Sequence, residues 1–303
     1  MGFSIERIEC VLASIVEENY VLEKDMKWDE GKIEKKIGIK KRYLSNDTET
    51  TEGLAIKSIN KLKTNINLDN LGLVISVTNT PTNLFPSLSH LVASELNSNN
   101  NIHCLGLNSG CSGYVDALIL AEKYINYEKC DAIIITSDTY SKYIRNDDYS
   151  IRPLFSDGST ATHLKYMKKG KKIKKKITSF ENNTSDFLKG QLNKNKKYEI
   201  HMNGPKVLLY AINKVLPNIK KLLNKRIETI FLHQAGSIVT NSIIKYINKN
   251  INVPLNYPEL GNLVSSSIPF VMKENFNLLN TNNQILISGF GVGLSQAHII
   301  IGN

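Results

Sequence analysis

Apolar residues along the chain fall into two alternating rhythms. Short aliphatic and β-branched runs at 71–78 (LGLVISVT), 103–108 (HCLGLN) and 131–138 (DAIIITSD) predict strands. Between them the pattern predicts helices over 87–96 and 112–126; in the second, Tyr114, Ala117, Leu118, Ala121 and Tyr124 recur at the spacing of one helical face. Strand and helix in alternation imply βαβ units around a largely parallel or mixed sheet, an α/β fold.

The remainder repeats the arrangement, with a long helix over about 205–223, a strand at 229–234 (TIFLHQ), a helix over 237–248 and closing strands at 284–290 (QILISGF) and 297–302 (AHIIIG). Two similar halves, 1–165 and 166–303, suggest a duplicated fold with its site between them, because ligands of α/β folds gather at strand ends and domain junctions. Where the halves meet, the run KKGKKIKKK (168–176) reads as a solvated β-hairpin, Gly170 at the turn and Ile173 and Ile177 facing inward. A nucleic-acid or acidic-protein patch is the alternative, but aromatic interleaving is missing.

The 303 residues are 41% hydrophobic, enough for a substantial core, and disorder is not expected. Four cysteines (Cys10, Cys104, Cys111, Cys130) without CxxC spacing argue against a disulfide scaffold or a structural zinc site, and suit a reducing compartment. Glu6, Arg7 and Glu9 interrupt any signal-like apolar stretch, and no segment reaches the roughly 20 apolar residues that span a bilayer, so a cytoplasmic protein without a membrane is expected. The net charge of +10 attracts an acidic partner without choosing one. The other histidines (His90, His103, His163, His201, His298) show no metal-ligand spacing.

Chemistry concentrates in four segments. Cys111, in Asn108-Ser109-Gly110-Cys111-Ser112-Gly113, follows a strand and opens a helix, whose unpaired amides favour thiolate over thiol. His233 ends a strand in Leu232-His233-Gln234-Ala235-Gly236, and Asn262 stands in Leu260-Gly261-Asn262-Leu263-Val264-Ser265-Ser266-Ser267-Ile268-Pro269. Gly289-Phe290-Gly291-Val292-Gly293 joins the two closing strands. Taken singly, these read as a buried cysteine in a tight turn, a core histidine, a turn or N-cap asparagine and a plain glycine turn.

Together they resemble, in order and context, the β-ketoacyl-acyl-carrier-protein synthase III family of the thiolase superfamily. The resemblance extends to 36–43 (KIGIKKRY), 84–87 (LFPS), 155–159 (FSDGS) and 201–207 (HMNGPKV) and so covers nearly the whole chain. It implies a thiolase-like fold, two similar α/β halves packed as a layered αβαβα sandwich, and a homodimer. It implies Cys111 as the nucleophile that takes an acyl group from a coenzyme A or carrier thioester. His233 and Asn262 would stabilise the enolate left when a malonyl thioester loses carbon dioxide, and the Cys111 and Val292 backbone N–H groups would form the oxyanion hole. Val292 stands where the family usually has glycine. Phe85 resembles the family's acyl-pocket residue, which in many members reaches across the dimer interface. The implied substrates are acyl-CoA or acyl-carrier thioesters, with acyl carrier protein as partner, no nucleic acid, no metal and no permanently bound cofactor.

Departures from the pattern point to a specialised synthase. An arginine that helps receive the carrier in well-known members is absent after Ala235-Gly236, so Lys214, Lys220 and Lys221 on the long helix become candidates for carrier docking. A tryptophan that stacks on adenine in some members is replaced by Lys32, with Trp28 displaced, which favours a carrier-borne primer over coenzyme A. The N-terminal strand, with Ile8-Glu9-Cys10-Val11, lacks the family's glycine-rich, proline-ended form. Two other classes remain open: an acyltransferase of the same fold, moving the acyl group from Cys111 to a hydroxyl or amine, and, less in keeping with the residues around Cys111, a papain-like thiol protease.

Overall fold

The computed structural model describes residues 1–97 and 101–303. In chain order it contains β1 (Gly2–Leu12), β2 (Ile15–Glu18), α1 (Asn19–Asp25), α2 (Lys32–Ile37), β3 (Lys41–Leu44), α3 (Thr51–Lys63), β4 (Leu71–Val77), α4 (Leu88–Leu96), β5 (His103–Leu107), α5 (Gly113–Glu128), β6 (Asp131–Asp138) and β7 (Gly158–Met167). It continues with β8 (Lys172–Phe180), β9 (Leu188–Leu192), β10 (Tyr198–Met202), α6 (Gly204–Tyr210), α7 (Leu216–Leu222), β11 (Ile227–Leu232), α8 (Ser237–Ile244), α9 (Tyr257–Leu260), α10 (Ser267–Glu274), β12 (Gln284–Gly291) and β13 (Ser295–Gly302).

Two sheets carry the architecture, one ordered β1-β7-β6-β4-β5 and the other β8-β13-β12-β11. Each has the same core: an edge strand antiparallel to the last strand, that strand antiparallel to a central one, and the central one parallel to its other neighbour. Successive residues of a strand face opposite sides. Leu73, Ile75, Val77, Ala132 and Ile134 of one sheet, and Ile285, Ile287, Ile299 and Ile301 of the other, therefore close on a shared middle layer built from α5 and α10. The alternate residues Val74, Ile133 and Ile135 pack under α3 and α4, and Ile230, Leu232, Leu286 and Ile300 pack under α6, α7 and α8. Helices on both outer faces and between the sheets make the expected αβαβα sandwich.

Several elements differ from the pattern reading. Residues 168–176 are not a hairpin. β7 lies between β1 and β6 in the first sheet, whereas β8 pairs with β13 at the edge of the second, so the chain crosses from sheet to sheet at 168–171. A register shift between Ile300 and Ile301 sets Ile173 opposite Ile301 and Ile177 opposite His298. The two isoleucines consequently face opposite sides of the sheet, each half-buried against a different core, while Lys172, Lys174, Lys175 and Lys176 stay exposed. The helix expected over 205–223 is interrupted by a π-helical turn, Ala211–Val215. The cause is local: Pro217 has no N–H for the carbonyl four residues back, and its ring crowds that carbonyl. The helix expected to reach residue 248 stops at Ile244, where the Tyr246 and Ile247 N–H groups turn back to carbonyls only three residues away. α3, which the alternation leaves out, is capped by Thr50 and buries Leu54, Ala55, Ile59 and Leu62.

Because α5 is packed from both sheets, its apolar face is the least compressible part of the core. Leu118→Ala should lower the unfolding free energy by roughly 2–5 kcal/mol, whereas Lys175→Ser on the exposed edge strand should change it by about 0.5 kcal/mol or less; urea denaturation of the two variants checks the contrast.

Candidate active site

Cys111 lies in a single 3-10 turn, Gly110–Ser112, between β5 and α5. Gly110 holds φ at +50°, and a Cβ there would come within 2.4 Å of Asn79 Oδ1 and 2.9 Å of Val292 Cγ2, so both the conformation and the space require glycine. From the other side β12 ends against the cysteine: a Cβ on Gly291 would sit 2.8 Å from Cys111 Cβ and 3.0 Å from Sγ. The Cys111 and Val292 backbone N–H groups lie on the side of the thiol and favour its charged form.

His233 follows β11 directly, and its N–H donates to Ser288 O of β12 at 2.9 Å. Its ring meets the Phe290 ring edge-on, at 5.5 Å between centroids and 89° between planes. Asn262 is clamped by backbone bonds, donating to Leu154 O at 2.8 Å and accepting from Ser156 N–H at 2.9 Å. Its Oδ1 accepts from Val264 N–H (2.9 Å) and Ser267 Oγ–H (3.3 Å). With Oδ1 engaged twice, the Nδ2 amide is the part left to donate elsewhere. The Cys111 turn packs both on the end of β12 and on the turn Val264–Ser266 that follows Asn262. The segments carrying all three residues therefore meet at the carboxyl ends of the central strands.

Burial governs the charges. It pushes the Cys111 thiol well above its ordinary value, the Asp138 carboxylate adds to the shift, and the two N–H donors offset only part of it. The expectation of a thiolate favoured by the helix terminus is thus reversed, because the sulfur is sealed from water. Burial also lowers the His233 pKa to about 3, so the imidazole is neutral at neutral pH, with Nδ1 buried and without a protein partner.

Sequence reasoning missed Asp138, Asn79 and Tyr140. Asp138 is fully buried at the end of β6 and accepts from Asn79 N–H (2.8 Å), the Thr78 and Thr80 hydroxyls (3.2 Å each) and Ser265 Oγ–H. Burial outweighs these donors and lifts its pKa to about 6. It ties the loop after β4 to the turn after Asn262. A signal was present: an acid closing a strand with the apolar run Ala132–Ile135 at its centre, at the end where α/β sites form.

Other expected residues are placed apart. Phe85 is 84% exposed on the loop before α4. Lys214 pairs with Glu181 at 3.0 Å, Lys220 lies over the Tyr246 ring and Lys221 reaches Asn218, all on the outer helical layer. Lys32 and Lys36 cover the Trp28 ring at 4.6 and 5.9 Å. Two clefts adjoin one another, the first of them reaching Asn79 and Val292 beside the Cys111 turn. One, of about 460 Å³, is walled by Asn79, Asn108, Tyr140, Leu188, Ile200 and Val292. The other, of about 470 Å³, includes Arg42, Lys142, Arg145, Arg152, Phe155 and Lys197. Tyr143 and Tyr198, edge-to-face at 6.4 Å, border both. Among the described residues no three His, Cys, Asp or Glu side chains gather as metal ligands.

With the thiol raised, the thiolate fraction grows about tenfold per pH unit below the pKa. Iodoacetamide alkylation of Cys111, followed by peptide mass spectrometry, should accordingly keep climbing from pH 7 to 9; a plateau in that range would show that the thiolate is already formed.

Models of the 3-oxoacyl-(acyl-carrier-protein) synthase III family match residues 105–182 and, for its C-terminal part, 219–302, together more than half of the chain. The chain is 29% identical over 294 residues to the beta-ketoacyl-(acyl-carrier-protein) synthase III of Streptococcus sanguinis (strain SK36), with 89% of each chain covered. It is 29% identical over 314 residues to that of Clostridium novyi (strain NT), covering 93% of this chain and 92% of the relative. The 3-oxoacyl-(acyl-carrier-protein) synthase III structure from Aquifex aeolicus VF5 superposes with a TM-score of 0.88 over all of both chains at 24% identity. Matching sequence models on both halves, full-length relatives and a shared layered architecture lead to one conclusion: this chain belongs to the 3-oxoacyl-(acyl-carrier-protein) synthase III family of the thiolase superfamily.

Proposed function

We propose that this condensing enzyme joins a Cys111-bound acyl primer to a malonyl-type carrier thioester by decarboxylating Claisen condensation, in fatty-acid or specialised acyl-chain biosynthesis. The observation that carries the reading is the close packing of the Cys111 turn on the glycine turn that carries Val292, beside an Asn262 amide whose oxygen is already engaged. In the first half-reaction Sγ attacks the primer thioester, the Cys111 and Val292 N–H groups hold the tetrahedral oxyanion, and the departing thiol carries away the proton that the cysteine gives up. In the second, Asn262 Nδ2 and the neutral His233 ring donate to the malonyl thioester oxygen as carbon dioxide leaves. The carbanion then attacks the acyl carbonyl, and the Cys111 thiolate departs and regains a proton.

The same reading extends to partners and architecture. Halves 1–165 and 166–303 would each contribute one wall of the site. β5 is an edge strand of its sheet, and Leu84 and Phe85 are exposed nearby at 76% and 84%, which supports a homodimer in which Phe85 serves the partner's acyl pocket. Lys32 stands where some members stack a tryptophan on adenine, and with Lys36 it engages the displaced Trp28 ring, which supports delivery of the primer on an acyl carrier protein. Lys220 and Lys221 stay exposed for carrier docking, whereas Lys214 is engaged by Glu181. No described helix is long and apolar enough to cross a membrane, in keeping with a cytoplasmic enzyme.

Removing one donor to a developing oxyanion typically slows a reaction on the order of 100- to 1000-fold. Asn262→Asp should lose condensation by that factor while Cys111 is still acylated, read by intact-protein mass spectrometry and by carbon dioxide release from a malonyl carrier. Equal loss of both half-reactions would refute the division of roles, and acyl transfer to a hydroxyl or amine without carbon dioxide release would replace condensation with ester or amide formation.

A further inference from the structure

Beside the Cys111 turn the chain builds a polar wall for which a plain hydrocarbon primer has no use. Asn79 follows β4, with its backbone N–H held by Asp138 at 2.8 Å. Its Oδ1 accepts from the Tyr140 hydroxyl at 3.0 Å, and its Nδ2 donates to Asn108 Oδ1. Tyr140 is 3% exposed and its ring packs on Phe155 at 5.0 Å, in the same apolar cluster as Cys111, so its hydroxyl is held in place by packing. All three residues line the cleft of about 460 Å³, which ends against Val292 and Gly293. Val292 supplies one of the two N–H groups at the sulfur, and Asn79 Oδ1 approaches the Gly110 backbone closely enough to exclude a Cβ there. The wall therefore begins at the nucleophile.

Its unused hydrogen-bonding capacity can be counted. One Nδ2 hydrogen of Asn79 and both of Asn108 remain as donors, and the Tyr140 oxygen remains as an acceptor. Leu188 and Ile200 on β9 and β10 add apolar surface to the same cleft, beside Ser185 and Lys189. A methylene chain laid along the polar side would strip water from these groups without replacing the bonds, a penalty that falls on every unpaired donor. A hydroxyl on the acyl group would meet the donors and the Tyr140 acceptor instead, and a keto oxygen would meet the donors.

Resting on the reading that Cys111 carries an acyl group, we propose that this group is a short acyl chain bearing a hydroxyl or keto oxygen within a few carbons of the thioester carbonyl, recognised by Asn79, Asn108 and Tyr140. The test compares initial rates of Cys111 acylation, by intact-protein mass spectrometry, from butyryl, acetoacetyl and both 3-hydroxybutyryl enantiomers, each offered on coenzyme A and on a carrier protein. At least one oxygenated acyl group should react roughly tenfold faster than butyryl, the factor set by about one donor of the half-buried Asn79 and exposed Asn108 that a bound chain would cover without a partner. Tyr140→Phe, which keeps the ring and its packing, should shrink that ratio, and the Asn79→Leu, Tyr140→Phe double variant should invert it toward butyryl. Butyryl reacting as fast as the oxygenated groups, or a 3-hydroxybutyryl-to-butyryl ratio unmoved in Tyr140→Phe, overturns the polar-primer inference and leaves the acyl-enzyme reading intact. Failure of every thioester on either donor to acylate Cys111 overturns both.

Discussion

The end of β12 touches the Cys111 turn so closely that no side chain fits between them, and this contact organises the rest. A Cβ on Gly289 would lie 2.8 Å from the Cys111 carbonyl oxygen, and one on Gly291 equally close to Cys111 Cβ. With α5 starting at the same turn, the spacing between the two sheets is fixed at the point where the sulfur sits. Because β12 also receives the His233 N–H through Ser288, the strand that touches the nucleophile is the one that locates the histidine. Val292, the next residue along, brings its N–H to the side of the thiol. A side chain at that position is compatible with the role, since only the backbone amide takes part.

Sealing the site from water has a second consequence. It disfavours every ion within it: the Cys111 thiol moves up, His233 moves down to about 3 and Asp138 moves up to about 6. The resting site consequently holds few full charges and many oriented N–H groups. In a poorly screened interior such dipoles act strongly on charge that develops during a reaction, and they need no reorganisation when it appears. Asn262 fits this economy, being a donor that never titrates.

What the sequence made legible follows from the physics of each segment. Strands buried on both faces leave continuous apolar runs, and the run 131–138 coincides with β6, Asp131–Asp138. The glycines around Cys111 and in 289–293 were legible because close backbone contacts tolerate nothing larger. Pairing was not legible at 168–176: lysine-rich β8 sits at a sheet edge, where alternation says nothing about which sheet supplies the neighbour. Asp138 escaped because its partners Asn79, Thr80 and Ser265 arrive from distant segments. Phe85 was legible only as part of a motif, since nothing in the hydrophobic pattern of its own loop says why a large ring is left exposed.

The excess of positive charge is distributed rather than gathered on one helix, which changes how an acidic partner would be met. Around the second cleft Arg42 and Arg152 share Glu17, and Arg145 pairs with Asp147. Lys142 is turned to the backbone carbonyls of Asp47 and Glu49. These groups are committed to holding the fold, so their charge acts on a partner mainly as a field, screened beyond about 8–10 Å at ordinary ionic strength. Such a field speeds encounter without fixing orientation. Orientation must then come from shape, and the tyrosine pair Tyr143 and Tyr198, edge-to-face where the two clefts adjoin, is a rigid feature that both clefts share.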